Sequence, residues 1–252
     1  MKEPKDIKIL VVDDEVHMRE IVAFDLQKQG YHVSHANSGK EAFEKVKNDD
    51  FDLVISDVRM PSGTGIELLK WIKELNALRP SFIFMTAFAD VSADEALAQG
   101  AEAFLVKPLV REDMIEEVKK VLVAREDRWL SLPEDIETLA SFKIKYDSSQ
   151  VGAKPFIFLG SGGLFFEIVN MFPNCHDIVS VDIQLDCEAI KAIKGYAQIR
   201  WVRYEGSENL PAGAGIEFLY LTPESHAQYL TYVKTHQPRA FIPLGYKVLS
   251  NR

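Results

Sequence analysis

The chain has 252 residues, 47% of them hydrophobic and 27% charged, and a formal net charge of −9. That length accommodates two ordinary soluble domains, and the acidic balance lacks the basic excess that neutralising a phosphate backbone needs, so nucleic acid is not an expected partner. No leader with an apolar core and no run of about 18 apolar residues is found, so no membrane span is expected and the protein reads as cytoplasmic.

The first strand spans residues 7–12 and is followed at once by Asp13-Asp14-Glu15. Residues 16–29 then read as a helix, with Val22 and Leu26 on one face and Gly30 as a left-handed cap. A weaker strand covers 33–36, and Ser38 with Glu41 forms the signature of a capping box opening a helix to about Lys47. Leu53-Val54-Ile55 is an unbroken apolar run, as in a strand buried on both faces of a parallel sheet, and it ends in Asp57 followed by Met60-Pro61. A helix over 65–75, a strand over 82–85 leading to Thr86, and a helix from Ser92 and Glu95 to Gly100 come next. The fifth strand, 103–106, closes at Lys107-Pro108, and a last helix runs from Arg111 to about Arg125 with Ile115, Val118 and Leu122 on one side. Five strand–helix units predict one α/β doubly wound domain. In such sheets ligands bind at the carboxyl ends of the strands, where Asp13, Asp14, Asp57, Thr86 and Lys107 fall.

Asp13-Asp14, Asp57 with Met60-Pro61, Thr86-Ala87 and Lys107-Pro108 together resemble the receiver domain of bacterial two-component response regulators, over about residues 6–125. The resemblance implies a flavodoxin-like strand order, 2-1-3-4-5. It makes Asp57 the nucleophile and phosphoacceptor for a sensor histidine kinase. Phosphoryl transfer to a carboxylate calls for a hard divalent cation, Mg²⁺, whose expected ligands are Asp14, Asp57 and the Arg59 backbone carbonyl, with Asp13 acting through water. The Lys107 ammonium and the Thr86 hydroxyl would bind phosphoryl oxygens, Phe104 would report the state of Thr86 as a rotamer switch, and the Lys107–Pro108 bond would be cis. Arg59 and Phe88, two beyond the phosphoacceptor and the switch threonine, offer no group to orient an attacking water, which predicts a long-lived phosphoryl group.

Residues 126–133 read as a helical linker stopped by Pro133, with Trp129, Leu130 and Leu132 available to dock on a domain or on a second chain. Beyond it the pattern alternates. Strands are predicted over 142–146, 156–159, 164–169, 179–185, 196–204 and 215–221, an all-β six-stranded antiparallel barrel over 134–252 with a C-terminal helix opened by Thr222-Pro223 and faced by Ala227, Leu230 and Val233. Cys175 and Cys187 lack metal-ligand spacing and read as reduced thiols. The run 156–163, with Asp182 further on, has the look of a strand entering a nucleotide loop, but the following segment is short and no helices alternate with the later strands.

Gly162-Gly163-Leu164-Phe165, Gly195 with Trp201, and Gly213 with Phe218 make the second half similar to a PilZ domain. That family binds cyclic di-GMP through an RxxxR segment and a [DN]xSxxG turn. Here Phe158 and Gly160 stand where the polar residues belong, only Gly163 remains, and Arg125 and Arg128 do not make the arginine pair. The chain therefore reads as a response regulator, not an enzyme. Its degenerate PilZ output would work through protein contacts, in motility or surface behaviour, with a phosphorylation-dependent homodimer as one form. A cyclic di-GMP sensor, and DNA-binding or methyltransferase outputs, are the competing readings.

Overall fold

The computed structural model describes residues 2–87, 92–132, 138, 140–145, 157–168, 173–185, 190–206 and 211–244. The chain divides into two compact units, 1–124 and 125–252. Among the described residues no helix is long and apolar enough to cross a membrane.

The first unit alternates β1 (Lys8–Val12), α1 (Val16–Lys28), β2 (His32–Ala36), α2 (Gly39–Asn48), β3 (Leu53–Asp57), α3 (Gly65–Leu75), β4 (Ser81–Thr86), α4 (Ala93–Gln99), β5 (Ala103–Val106) and α5 (Arg111–Leu122). All five strands are parallel, in the order β2-β1-β3-β4-β5. Successive side chains of a strand face opposite ways, so the continuous apolar runs feed two cores. Ile9, Val11, Leu53, Ile55, Ile83 and Met85 pack with Val22 and Leu26 of α1 and Ile115 and Val118 of α5. On the other face Leu10, Val12, Val54, Phe82 and Phe84 pack with Ala42 of α2, Leu68 and Ile72 of α3 and Ala96 of α4. Each fully buried aliphatic or aromatic side chain contributes about 1.5–3 kcal/mol, so the two layers hold the sheet from both sides.

The caps differ from the sequence reading in detail. Ser38 Oγ does accept from Glu41 N, but the Glu41 carboxylate accepts from Asn37 N. Ser92 makes no side-chain cap bond. The complete capping box belongs to Thr64 and Glu67 at the start of α3.

The second unit contains β6 (Ala140–Lys145), β7 (Ile157–Leu159), β8 (Gly163–Glu167), β9 (Ile178–Gln184), β10 (Ala192–Arg203), β11 (Gly213–Leu221) and α6 (Pro223–His236). The expected antiparallel barrel is corrected on two points. The sheet order is β6-β9-β10-β11-β8-β7, with β6 and β7 at opposite ends and unpaired with each other among the described residues. β6 also runs parallel to β9. Alternation of Phe142 and Ile144 with Lys143 and Lys145 sets which face a side chain takes and carries no information about the direction of the neighbouring strand. The sheet is a mixed half-barrel.

The linker is the other correction. α5 ends at Leu122 and residues 125–129 form turns, not helix. Trp129 has φ +63°, outside helical geometry, and its ring meets Phe218, Tyr229 and His226 at centroid distances of 6.0, 5.6 and 6.5 Å. Leu221 N donates to Trp129 O at 2.9 Å. This segment is thus part of the second unit's own packing; Pro133 lies outside the described residues.

The buried side of α6 is also rotated from the expected one: Ser225, His226, Tyr229 and Val233 are buried, while Ala227 is exposed. Tyr229 takes the central place because its ring packs edge-on against Phe218 at 4.9 Å while its hydroxyl donates to main-chain carbonyls. Burial pushes that phenol well above its ordinary range, so it remains a donor.

Gly215 lets Trp201 lie flat on β11. A Cβ there would sit 2.2 Å from Trp201 Cε2 and Nε1, and the ring cannot retreat because it stacks on Phe165 at 5.4 Å and 15°. Gly215→Ala should therefore cost the second unit about 1–3 kcal/mol, the range for overpacking a filled core. Urea unfolding followed by tryptophan fluorescence measures it, and an unchanged midpoint would show that the ring yields freely.

Candidate functional site

The parallel sheet brings the ends of β1, β3, β4 and β5 to one edge, and with them the acids and the lysine singled out above. Asp57 is the last residue of β3 and is 7% exposed; Asp13 follows β1 and is 1% exposed. Lys107 Nζ lies between them, 2.6 Å from Asp57 Oδ1 and 3.0 Å from Asp13 Oδ2. The Lys107–Pro108 bond is cis. Asp57 Oδ2 accepts from Arg59 N at 2.9 Å, and Asp13 Oδ1 from Glu15 N at 2.8 Å. Each buried carboxylate therefore has one oxygen on the ammonium and one on a backbone N–H.

Thr86 ends β4 and is buried, and its hydroxyl donates to Ala87 O at 2.7 Å. Phe104 is half-buried on β5, opposite Phe84, and packs against the core of α2, α3 and α4. Arg59 is exposed. Phe88 lies outside the described residues.

Two contacts at this edge escape sequence reasoning. Arg19 Nη1 donates to Asp13 O at 2.5 Å, tying the first turn of α1 to the end of β1. Gly65 passes so close to the phosphoacceptor candidate that a Cβ would lie 2.1 Å from Asp57 O. An arginine one turn into a helix and a glycine at a helix start are too common to stand out in a sequence; only the fold gives them their neighbours.

Burial raises the Asp57 carboxyl above its ordinary value, and the nearby Asp13 charge adds to this; the bond to Lys107 opposes both without cancelling them. Burial also pulls Lys107 down, but its bonds to Asp57 and Asp13 outweigh it and the ammonium is stabilised. One cation thus serves two buried anions and leaves the pocket negative. Oxygen donors with surplus negative charge fit a hard divalent ion by donor chemistry. The expected gathering of Asp13, Asp14 and Asp57 around one point is not formed, however. Asp14 is exposed, Lys107 bridges the other two, and no three acid, histidine or cysteine side chains converge among the described residues.

A family model described as the response regulator receiver domain matches residues 9–119. The response regulator receiver protein CpdR of Brucella abortus is 33% identical over 118 residues, which make up 46% of this chain and 98% of that protein. The chain belongs to the response regulator receiver family. Relatives of this receiver include the transcriptional regulatory protein ZraR of Escherichia coli, 45% identical over 118 residues, 46% of this chain and 26% of ZraR. The chain thus spans about a quarter of the length of that relative. Among solved structures, the chemotaxis response regulator CheY4 of Vibrio cholerae is 34% identical and covers 46% of this chain and 98% of its own, with a TM-score of 0.43. The receiver match ends at residue 119 and leaves the second unit to be read on its own residues.

In the second unit, the turn that resembles a ligand-binding motif has no polar side chain where two would be needed. Phe158 is half-buried and tilted against Phe165 at 6.2 Å, and Gly160 N donates to Gly163 O at 2.9 Å. Arg125 Nη1 donates to Ser161 O at 3.2 Å, so this arginine is engaged by the turn's main chain. Arg128 is half-buried and also has interaction partners. Cys175 is an exposed free thiol; Cys187 lies outside the described residues.

Because the Asp57 carboxyl holds its proton more tightly folded than unfolded, its ionisation opposes folding. This opposition is absent below the ordinary carboxylate range and develops as pH rises through the raised value. Asp57→Asn keeps an oxygen for Lys107 and removes the charge, so it should unfold at a higher temperature than the parent at pH 7, with the gain shrinking toward pH 4. Melting curves across that range test it, and an Asn variant less stable than the parent at pH 7 would contradict the assigned balance.

Proposed function

We propose that the chain is a phosphorylation-controlled response regulator in which Asp57 accepts a phosphoryl group from a sensor histidine kinase. The observation that carries this is the bridge of Lys107 between Asp57 and Asp13 at the carboxyl edge of the sheet. In the transfer, an Asp57 carboxylate oxygen forms a bond to phosphorus as the bond to the donor imidazole nitrogen breaks. Lys107 moves its ammonium from the carboxylate to the new phosphoryl oxygens, where a dianion is the stronger partner. Thr86 gives up the Ala87 carbonyl and donates to another of those oxygens, and Phe104 follows the space it leaves. A bound Mg²⁺ would neutralise the converging oxygens, with Asp14, Asp57 and the Arg59 carbonyl as ligands and Asp13 acting through water. Arg59 and Phe88 present no carboxylate or amide to an in-line water, so the acyl phosphate is long-lived.

The second unit is the output. Its glycine turn, its Trp201 and the positions of Gly195, Gly213 and Phe218 support a PilZ-like reading, and the apolar character of the turn supports output through protein contacts, in motility or surface behaviour. A phosphorylation-dependent homodimer is the form in which the receiver would signal to it.

Beryllofluoride with Mg²⁺ should change the intrinsic fluorescence or the oligomeric state of the full chain, and Asp57→Ala should abolish the response. Lys107→Ala should keep metal binding and lose most of the response, because it removes the phosphoryl partner and leaves the acids. A full response in Asp57→Ala would remove Asp57 from its role.

Cyclic di-GMP should give no saturable heat with the full chain at low micromolar concentration. Recognition of two phosphates and a guanine edge needs charge-assisted bonds of about 1.5–3 kcal/mol each, and Phe158 and Gly160 supply none. Calorimetry showing micromolar binding would promote the nucleotide-sensor reading over the protein-contact one.

A further inference from the structure

The glycine-rich turn at residues 160–163 has an occupant. Two consecutive backbone N–H groups leave the turn for two consecutive carbonyls of the segment that follows α6: Ser161 N donates to Ala240 O at 2.8 Å and Gly162 N to Phe241 O at 3.0 Å. A strand ladder would alternate its donors between the two sides; here the turn donates twice running, as a small cradle of N–H dipoles does toward an acceptor. The absence of side chains at Gly160 and Gly162 is what admits this segment. A Cβ on Gly160 would lie 2.2 Å from Phe241 O, and one on Gly162 would lie 1.8 Å from Phe241 Cε2, inside the ring.

The seat is closed from the other directions as well. Tyr229 Oη is 2.7 Å from Gly160 O and 3.2 Å from Gly163 O, and Phe218 N donates to Gly162 O at 3.1 Å. Phe241 and Ile242 are 3% and 0% exposed, and Arg203 Nη1 donates to Leu244 O at 3.0 Å. Between α6 and this segment the chain turns sharply at Gln237, with φ +45°. The contacts that hold residues 240 and 241 in the turn are therefore two main-chain bonds and the Phe241 ring, with Ile242 buried next in the chain; main-chain bonds plus a side-chain anchor are a means by which proteins recognise short peptide segments.

We propose that the turn at residues 160–163 is a peptide-binding site, selective for a bent segment of small, aromatic and β-branched residues, and that Ala240-Phe241-Ile242 fills it in cis. The site takes its ligand through two N–H donors and a glycine surface shaped to a phenyl ring, while Arg125 holds the turn at Ser161 O and Arg203 holds the segment at Leu244 O. A segment of the same chemistry from a partner protein enters only when the chain's own segment leaves. The inference does not depend on phosphorylation of Asp57.

The test uses a synthetic, fluorescently labelled peptide of residues 238–244 and three forms of the protein. A chain ending at Arg239 should bind the peptide saturably, the intact chain at least about tenfold more weakly, a difference of about 1.4 kcal/mol, because its own segment competes. Gly162→Ala in the shortened chain should abolish binding, since the new methyl group occupies the ring's place. No binding to a shortened chain that keeps its circular dichroism and its response to beryllofluoride would overturn the proposal, as would binding indifferent to Gly162→Ala. Should the shortened chain not fold, a protease site placed at residues 237–239 lets the segment be cut in the folded protein. Exchange of the cut segment for labelled peptide then supports the proposal, and failure of the peptide to enter counts against it. Loss of the beryllofluoride response with peptide exchange intact would strike the receiver reading alone.

Discussion

One ammonium shared between two buried carboxylates is the interaction on which the first unit's chemistry rests. Lys107 cannot neutralise Asp13 and Asp57 together, so the edge of the sheet carries unbalanced negative charge in a place where burial already opposes it. Removing one partner of a buried charge pair typically costs about 3–5 kcal/mol, whereas the intact arrangement adds little to stability. Everything around it serves to hold it: the apolar runs of β1 and β3 fix where Asp13 and Asp57 emerge, Arg19 ties down the Asp13 carbonyl, and Gly65 allows α3 to start against Asp57 O without pushing it aside.

The second unit depends on a different constraint, the close approach of aromatic rings to main chain. Phe165 stacks on Trp201, Trp201 lies on Gly215, and Gly213 sits against the Phe165 ring with no room for a Cβ. On the other side, Phe218 receives Tyr229 and Trp129 edge-on. Ring pairs of this kind add about 0.5–1.5 kcal/mol beyond the area they bury, and they fix orientation as well. Among the described residues β6 and β7 do not pair, and these ring contacts hold the sheet where the closed ring of hydrogen bonds of a full barrel would otherwise do so.

How much of this the sequence discloses depends on whether a feature is local. The five parallel strands and the acids at their ends are legible because an apolar run that stops in a charge is one short stretch of chain, as at Ile55 to Asp57. The positions of Thr86 and Lys107 follow in the same way. The parallel pairing of β6 with β9 is not legible, since it joins residues some forty apart and leaves no mark on the alternation of either strand. Nor is the turn at Trp129: the charges of residues 125–128 suit a helix, and only Phe218, Tyr229 and His226, a hundred residues away, pull the ring out of it. The buried side of α6 was obscured by Tyr229, whose hydroxyl needs an acceptor that the helix itself does not supply. Ser92 and Glu95 have the spelling of a capping box without its bonds, while Thr64 and Glu67 have both.

The glycines of the turn at 160–163 show why a motif has to be read through its atoms. In a sequence, a strand followed by Gly-Ser-Gly-Gly suggests backbone N–H groups free to surround a phosphate. Here three of the donors are spoken for: Gly160 N turns inward to Gly163 O, and Ser161 N and Gly162 N are held by Ala240 O and Phe241 O. Gly160 and Gly162 lack side chains because a peptide carbonyl and a phenyl ring occupy the space where a Cβ would stand. A phosphate carries a full charge that two amide dipoles would hold weakly, with Arg125 already bonded to Ser161 O, whereas two carbonyl oxygens are matched by two N–H groups one for one. The same composition therefore serves a neutral, apolar partner, and the departures at Phe158 and Gly160 are parts of that arrangement more than losses from another.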